Sequence, residues 1–234
     1  MNTDANAFIG SKATYMQLIG VHVEDNNEMF ICITPDVFPS AYMPGMKDMQ
    51  GLFPGIPLRT SVFNRLRNAR RIVKSQRPDL DLLLTYGYRT LEIQTELFVK
   101  ELEIEKMNTN NAQSHVDENE LYEKIHRRIA VPLVAGHPTG GAVDVTLITK
   151  AGKMIDMGSA IYDFAAHTEP TFSVTGVALA HRILLRNAMA EAGFIPFDFE
   201  YWHFSYGDRE WAYMAASSHA IFSQKSLHEV QSMM

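Results

Sequence analysis

His137-Pro-Thr-Gly-Gly-Ala-Val-Asp144 is the most informative stretch of this chain, together with Glu200-Tyr-Trp-His203 further along. Together the two segments contain two imidazoles, one carboxylate that can coordinate a metal ion and a second that can act as a base. This combination is typical of a catalytic zinc site, which has three protein ligands and leaves a fourth position for water. A structural zinc site normally uses four ligands, most often cysteines. The single cysteine of this chain, Cys32, cannot supply them.

The spacing of the first segment predicts its local structure. His137 and Asp144 are an odd number of residues apart, so on one unbroken strand they would point to opposite faces of a sheet. Gly140 and Gly141 lie between them and permit a tight turn. We therefore expect His137 to precede a turn and Asp144 to lie at the start of a strand over 143–148.

The second segment allows two interpretations. Glu200 and His203 are three residues apart, a spacing that brings two side chains to one face of a helix. The flanking residues 194–199 and Tyr201-Trp202 are rich in aromatic and β-favouring side chains. We expect a strand with a bulge or a kinked end, from which the Glu200 carboxylate leans over the metal without binding it.

From the residues alone, a metal site and ordinary structural histidines both remain open. A single histidine in an apolar stretch is usually a hydrogen-bonded residue of the core, and the chain has nine histidines. The metal interpretation is favoured by the joint pattern of His137 and Asp144 around glycines, followed by Glu200 and His203 beside a tryptophan.

The same residues carry a resemblance to a known family. The pattern His-x-x-Gly-x-Ala-x-Asp followed by Glu-x-Trp-His resembles the D-alanyl-D-alanine dipeptidase family of zinc peptidases, the VanX-like group. The resemblance extends in the right order over about residues 55–215. Its further segments are Tyr86-Gly-Tyr-Arg89, Met154-Ile-Asp-Met-Gly158 with Asp163-Phe164, the stretch 182–194, and Trp202-His-Phe204 with Tyr206-Gly-Asp208.

The resemblance implies a set of roles. It makes His137, Asp144 and His203 the ligands of one zinc ion per chain. It makes Glu200 the base that activates the zinc-bound water and later protonates the leaving amine. It makes Arg89 the cation that steadies the carbonyl oxygen of the substrate, a role suited to a side chain that stays charged.

Three further positions bear on the substrate. The resemblance implies that Asp163 holds the free ammonium of a dipeptide, whereas its sequence context equally suits a turn or a helix cap. Without the family pattern, Arg89 would be expected to form a surface ion pair with Glu92. The family usually has a serine two residues before its first histidine ligand, and this chain has Ala135 there.

Composition limits the classes of partner. The formal net charge of −6 argues against nucleic acid or an anionic membrane as the main partner. No apolar run is long enough to span a membrane, and the first residues lack the basic start and apolar core of a secretory signal. One cysteine suits a reducing compartment, so we expect a cytoplasmic protein that acts on a small peptide. The sequence does not specify an oligomeric state.

The patterns predict an α+β fold, with a central, mainly antiparallel sheet flanked by helices, in a single domain over 1–234 with long loops. Two apolar runs within 13–35 predict a hairpin, and the proline-rich stretch 35–58 a long loop. The patterns predict five helices. Three of them span 61–76, 119–130 and 208–232; one follows Arg89 and ends at about 105, and one begins at the cap residue Ser173 and ends at Gly193. The other predicted strands are 82–86, 143–149, 153–157 and the stretch with Glu200 and His203, and the other predicted loops are 107–119 and 165–173.

Three functions are compatible with these patterns. The first is a zinc dipeptidase that hydrolyses a small D-amino-acid peptide. The second is a D,D-carboxypeptidase or another cell-wall peptide hydrolase of the same superfamily. The third is a binding module that a metal stabilises and that lacks catalysis. Glu200 and Arg89 favour the enzymes, because a non-catalytic zinc site needs neither side chain.

Overall fold

A computed structural model describes residues 13–111, 117–163 and 174–234 of the chain. Its helices are α1 (Tyr15–Ile19), α2 (Thr60–Gln76), α3 (Leu91–Asn111), α4 (Glu118–His126), α5 (Gly176–Glu191), α6 (Arg209–Met214) and α7 (Leu227–Ser232). Its strands are β1 (Phe30–Ile33), β2 (Ile56–Arg59), β3 (Leu80–Tyr86), β4 (Ala142–Thr149), β5 (Ile195–Pro196) and β6 (His203–Ser205). Short 3₁₀ helices occupy Pro132–Val134 and His137–Thr139.

The strands form two antiparallel sheets. The larger has the order β3-β4-β6-β5, and the smaller pairs β1 with β2. Strand β4 is buried along its whole length except at Thr149, because it lies between β3 and β6 and its two faces are both covered. The predicted α+β class with a mainly antiparallel central sheet is therefore confirmed. The extent of the domain, 1–234, stays a prediction.

Helix α2 covers the sheet as its sequence pattern predicts. Val62, Leu66, Ala69 and Val73 recur at helical spacing, and all four are buried in the main core. The same cluster contains residues from β3, β4 and α5, so helices from two parts of the chain pack on the sheet that positions the site. The predicted bounds, 61–76, agree with the observed helix.

The predicted hairpin within 13–35 is wrong. Residues 15–19 form a short helix, which begins with a capping box between Thr14 and Gln17. Strand β1 pairs instead with β2, which lies at the end of the proline-rich stretch 35–58. The apolar run was compatible with helix or strand, and the reciprocal hydrogen bonds of the capping box favour the helix.

Other predicted elements differ in extent. Residues 153–157 contribute one isolated bridge, Met154 with Ile148, and no strand. The stretch 208–232 contains two short helices rather than one long one, and α4 ends at His126. Helix α3 continues to Asn111 and α4 begins at Glu118, so the predicted loop at 107–119 is wrong at both ends; residues 112–116 lie outside the described part of the chain. The residue before α5 is Thr175; the predicted cap Ser173 and the loop 165–173 lie outside the described residues.

Within the described part of the chain, no helix is long and apolar enough to cross a lipid bilayer.

Candidate metal centre

Three strands of the large sheet bring the predicted ligands together. Asp144 is the third residue of β4, and it pairs with Tyr86 on β3 and with His203 on β6. His137 precedes β4 in a 3₁₀ turn that ends at Gly140, whose backbone is left-handed (φ 74°). The expectation of a turn after His137 and a strand at Asp144 is confirmed.

The three side chains form a compact group of metal-binding atoms. His137, Asp144 and His203 each offer one atom, and these atoms lie within 4.8 Å of one another. One carboxylate oxygen, Asp144 Oδ1, is 3.0 Å from His203 Nδ1 and 3.6 Å from His137 Nε2. Ligand atoms that bind a tetrahedral zinc ion at about 2.0–2.1 Å are about 3.3 Å apart. The donor set and its spacing therefore fit a single ion of this size.

A backbone carbonyl orients the ring of His137. Its Nδ1 lies 2.7 Å from the carbonyl oxygen of Gly87, so this nitrogen carries the proton and Nε2 presents a lone pair towards Asp144. A Cβ at position 87 would meet the Pro57 carbonyl oxygen at 2.7 Å, so only glycine allows the backbone to approach here. The edge-to-face contact between His137 and Tyr86, with ring centroids 5.3 Å apart, restricts the imidazole further.

The other oxygen of Asp144 has a different partner. Tyr162 Oη donates a hydrogen bond of 3.1 Å to Asp144 Oδ2, and Thr85 Oγ1 donates one of 3.0 Å to the backbone oxygen of Asp144. Neither residue was identified from the sequence. A tyrosine and a threonine have no local pattern that marks them as partners of a residue elsewhere in the chain.

The acid–base properties of the three predicted ligands reflect their burial and their proximity to one another. Burial lowers the pKa of His137. Burial alone would also lower the pKa of His203, but its hydrogen bond with Asp144 and the charge of that carboxylate raise it to about 9. Burial would raise the pKa of Asp144, yet the two imidazoles hold it below its usual value. Asp144 is therefore a carboxylate at neutral pH, as a metal ligand must be.

Arg89 is held rigidly beside this group. It follows β3, is only 7% exposed, and donates hydrogen bonds to Tyr86 Oη (3.2 Å) and Gln94 Oε1 (2.9 Å). Burial would lower the pKa of Arg89, but Tyr86 and the nearby carboxylates of Asp144 and Asp48 together outweigh that effect and raise it. Among the described residues no ion pair joins Arg89 to Glu92, so the surface-pair interpretation is wrong.

Glu200 lies in the connection between β5 and β6 and not within a strand, which corrects the expectation for this segment. Its amide donates to the Phe197 carbonyl, and its own carbonyl accepts from the His203 amide (3.1 Å). These turn hydrogen bonds fix the spacing between the acid and the ligand that follows it.

The metal group, Arg89 and Glu200 all line one cleft of about 570 Å³. Ala135, at the position where the family usually has a serine, also lines it. The cleft extends away from the metal group to Lys100 of α3, His126 of α4 and Arg128, which follows α4. Asp163 is partly buried directly after Tyr162, and it is absent from the described residues that line the cleft. Its predicted role in binding the substrate ammonium stays a prediction.

Comparison with known proteins agrees with the resemblance noted in the sequence. The family described as D-ala-D-ala dipeptidase, of peptidase group M15, matches residues 59–224. A D-alanyl-D-alanine dipeptidase from Synechocystis is 29% identical over 202 residues, which cover 77% of this chain and 81% of that protein. A D-alanyl-D-alanine dipeptidase from Escherichia coli is 31% identical over 77 residues, covering 32% of this chain and 40% of the relative.

Solved structures show more distant likenesses. The vancomycin-resistance D,D-dipeptidase VanXYg, in complex with a D-Ala-D-Ala phosphinate analogue, is 19% identical, with a TM-score of 0.40 over 94% of this chain and 74% of that one. The vancomycin-resistance D,D-pentapeptidase VanY in complex with Zn(II) is 17% identical, with a TM-score of 0.40 over 76% of this chain and 85% of that one. The family assignment depends on the sequence match over 59–224 and not on these structures. The chain belongs to the D-Ala-D-Ala dipeptidase family of metallopeptidases.

Proposed function

We propose that this protein hydrolyses D-alanyl-D-alanine, or a similar small D-amino-acid dipeptide, with one zinc ion per chain. The observation that carries the proposal is the convergence of His137, Asp144 and His203 in a cleft that Arg89 and Glu200 also line. Family membership makes the chain a peptidase, and the dipeptidase from Synechocystis supports the substrate class.

The choice of zinc follows from the ligands. Two imidazole nitrogens and one carboxylate oxygen are a donor set that zinc uses in hydrolytic enzymes, with a fourth position left for water or substrate. When bound, zinc supplies Lewis acidity, which lowers the pKa of water to about 7 and polarises a carbonyl group.

Glu200 is the acid–base group of the proposal. Glu200 lines the cleft and begins the turn that ends at His203, so it lies close to the metal group without belonging to it. A carboxylate there can take the proton of the attacking water and then give it to the amine that leaves.

Arg89 is the electrostatic group. Its guanidinium is fixed by Tyr86 and Gln94 before any substrate binds, so little reorganisation accompanies the reaction. Negative charge that grows on the carbonyl oxygen of the scissile amide is stabilised by this buried cation.

Asp163 is proposed to pair with the ammonium of the free dipeptide. A carboxylate left unpaired beside an N-blocked substrate would cost roughly 1–3 kcal/mol, or about 5- to 150-fold in kcat/KM. Asp163→Asn should therefore reduce the preference for D-Ala-D-Ala over its N-acetylated form and leave the zinc content unchanged. An unaltered preference would remove Asp163 from the site.

The experiment that tests the function is an assay of D-alanine release. The substrates are D-Ala-D-Ala, N-acetyl-D-Ala-D-Ala and L-Ala-L-Ala, each with and without a chelator. We expect cleavage of the free D-dipeptide alone, its loss with the chelator, and its recovery when zinc is restored. Cleavage that survives complete removal of the metal would refute the mechanism.

One observation favours the alternative of a D,D-carboxypeptidase or a related peptide hydrolase. The cleft reaches beyond the metal group to α3 and α4, and its volume lies in the range of sites that hold ligands larger than a dipeptide. Equal cleavage of free and N-acetylated dipeptides would support this alternative. A protein that binds zinc tightly and releases no amine from any of the three would instead be a binding module.

A further inference from the structure

We propose that Tyr162 is a positioning residue for Asp144 and sets the way in which this carboxylate binds the metal. The inference rests on the proposed function only in that it takes His137, Asp144 and His203 as metal ligands. Tyr162 Oη donates to Asp144 Oδ2 at 3.1 Å, while Asp144 Oδ1 faces both imidazoles. One oxygen of the carboxylate therefore accepts the hydrogen bond from Tyr162, and the other is directed at the metal site.

The surroundings of the Tyr162 hydroxyl decide where its single proton goes. Thr85 Oγ1 lies 2.9 Å from Tyr162 Oη, and Thr85 donates its own proton to the backbone oxygen of Asp144. The Tyr162 proton therefore has two acceptors within reach, the neutral Thr85 oxygen and the charged Asp144 Oδ2. The charged acceptor is favoured, because hydrogen bonds to ionised groups are about twice as strong as those between neutral groups.

The hydrogen bond from Tyr162 determines whether Asp144 binds the metal through one carboxylate oxygen or through both. A carboxylate without a fixed partner can rotate, and it can bind an ion through one oxygen or through both. A hydroxyl that occupies Oδ2 disfavours the second oxygen as a ligand and keeps Oδ1 directed at the two histidines. Groups that orient a metal ligand in this way commonly change metal affinity or activity about 10–100-fold when they are removed.

The backbone supports a role that goes beyond packing. Tyr162 has φ 63°, a left-handed conformation that is uncommon for a residue with a bulky side chain. Such conformations persist where the surroundings fix them, and they are frequent at functional sites. The ring of Tyr162 lies edge-on to Trp202, with centroids 5.5 Å apart, and its hydroxyl is thereby held at Asp144.

The test is Tyr162→Phe, which removes the hydroxyl and keeps the ring on Trp202. The control is Tyr88→Phe, which deletes the hydroxyl of a fully buried tyrosine; this hydroxyl donates to the Lys225 carbonyl at 2.8 Å and not to Asp144. Zinc affinity is measured by competition with a chromogenic chelator, without any peptide. We expect the dissociation constant to rise about 10–100-fold for Tyr162→Phe and less than about threefold for the control.

A thermal measurement separates positioning from a general loss of stability. Zinc that binds only the folded protein raises its melting temperature, and the rise shrinks when affinity falls. Tyr162→Phe should therefore show a smaller zinc-induced rise than the wild type, whatever its melting temperature without metal. A substitution that instead lowers the melting temperatures of the metal-free and the zinc-bound protein by the same number of degrees leaves the zinc-induced rise unchanged. In that case the role of Tyr162 is structural and the proposal is wrong.

Cobalt substitution reports on the coordination itself. The visible absorption of bound Co²⁺ weakens when the number of ligands increases, so a second carboxylate oxygen on the ion should be visible in Tyr162→Phe. An unchanged spectrum together with unchanged zinc affinity would overturn the proposal. If Tyr162→Phe does not fold, a crystal structure of the zinc-bound wild type takes its place. It should have Asp144 bound to zinc through Oδ1 alone, and a zinc ion bound by both carboxylate oxygens would overturn the proposal.

The outcome is independent of the substrate. If the wild type binds zinc and Tyr162→Phe weakens that binding, the inference holds even when no dipeptide is cleaved. If the wild type cleaves D-Ala-D-Ala and Tyr162→Phe binds zinc as tightly as the wild type, the inference fails and the proposed function remains.

Discussion

Gly140→Ala should destabilise the protein and weaken metal binding, because Gly140 ends the turn that carries His137. Its backbone is left-handed, with φ 74°, and a conformation of this kind costs a residue with a Cβ about 1–2 kcal/mol. The added Cβ would also lie 2.3 Å from Phe30 Cε1 and 2.8 Å from Phe30 Cζ. Overpacking of a filled core costs about 1–3 kcal/mol, so we expect a total loss of about 2–5 kcal/mol.

Gly152→Ala is the matched control. Gly152 has nearly the same backbone conformation, φ 78°, but no atom lies within 4 Å of the Cβ that the substitution adds. Its cost is therefore the conformational strain alone, about 1–2 kcal/mol. The difference between the two variants isolates the collision with Phe30, which is 1% exposed and packs against Tyr88 and Arg59.

The assay is urea unfolding of the metal-free variants, followed by zinc titration. We expect Gly140→Ala to be less stable than Gly152→Ala by about 1–3 kcal/mol. Because the Gly140 amide donates to the His137 carbonyl at 3.0 Å, only Gly140→Ala should also weaken zinc binding. Phe30→Leu, added to Gly140→Ala, should restore part of the loss. Equal stabilities for the two alanine variants, within about 0.5 kcal/mol, would refute the steric reasoning.

Three further outcomes are expected. His137→Ala should lose bound zinc and peptidase activity together, by elemental analysis and by the D-alanine assay; unchanged zinc would contradict the ligand assignment. Glu200→Gln should retain zinc while kcat falls on the order of a hundredfold or more, and loss of zinc would make Glu200 a ligand. Burial would raise the pKa of Asp81, but hydrogen bonds with Arg70 and Lys74 lower it to about 2. The ionised carboxylate contributes on the order of 1–2 kcal/mol to the free energy of unfolding, after allowance for solvent. This contribution is complete above about pH 4 and is lost as the pH falls towards 2. In urea unfolding, Asp81→Asn should therefore destabilise the protein at pH 7 and have little effect near pH 2.

The sequence was sufficient to predict that His137, Asp144 and His203 come together, because these residues lie in short segments with their own local signals. Gly140 and Gly141 indicate a turn between His137 and Asp144, and the structure has that turn. Helix α2 was predicted within one residue, because its apolar positions repeat over several turns and few alternatives share that period.

The errors arose where the local signal was short or the partner was distant. The apolar residues 15–19 suit a helix or a strand, and the Thr14 capping box that decides between them is a weak pattern in isolation. Strand β2 contains Pro57, which favoured a loop, yet this strand lies at an edge where proline is tolerated. Its partner β1 lies beyond a long connection, and no local pattern specifies that pairing.

The groups that orient the site could not be predicted for a related reason. Tyr86 and Gln94 hold Arg89, and Tyr162 holds Asp144, through single hydrogen bonds between side chains. A hydroxyl or amide has the same appearance in the sequence whether it contacts solvent or a catalytic residue. Its role depends on tertiary contacts, which a single sequence does not display.

A β-bulge in β3 explains how this strand positions Tyr86 beside both the metal group and Arg89. The pairing with β4 shifts between Leu84 and Tyr86: Leu84 pairs with Val145, but the next residue of β4, Asp144, pairs with Tyr86. Thr85 is the extra residue, and its hydroxyl reaches the backbone oxygen of Asp144. Bulges of this kind change the direction of side chains near active sites. In a regular ladder Thr85 and not Tyr86 would pair with Asp144, so the shift is what places Tyr86, and through it Arg89, beside the metal ligands.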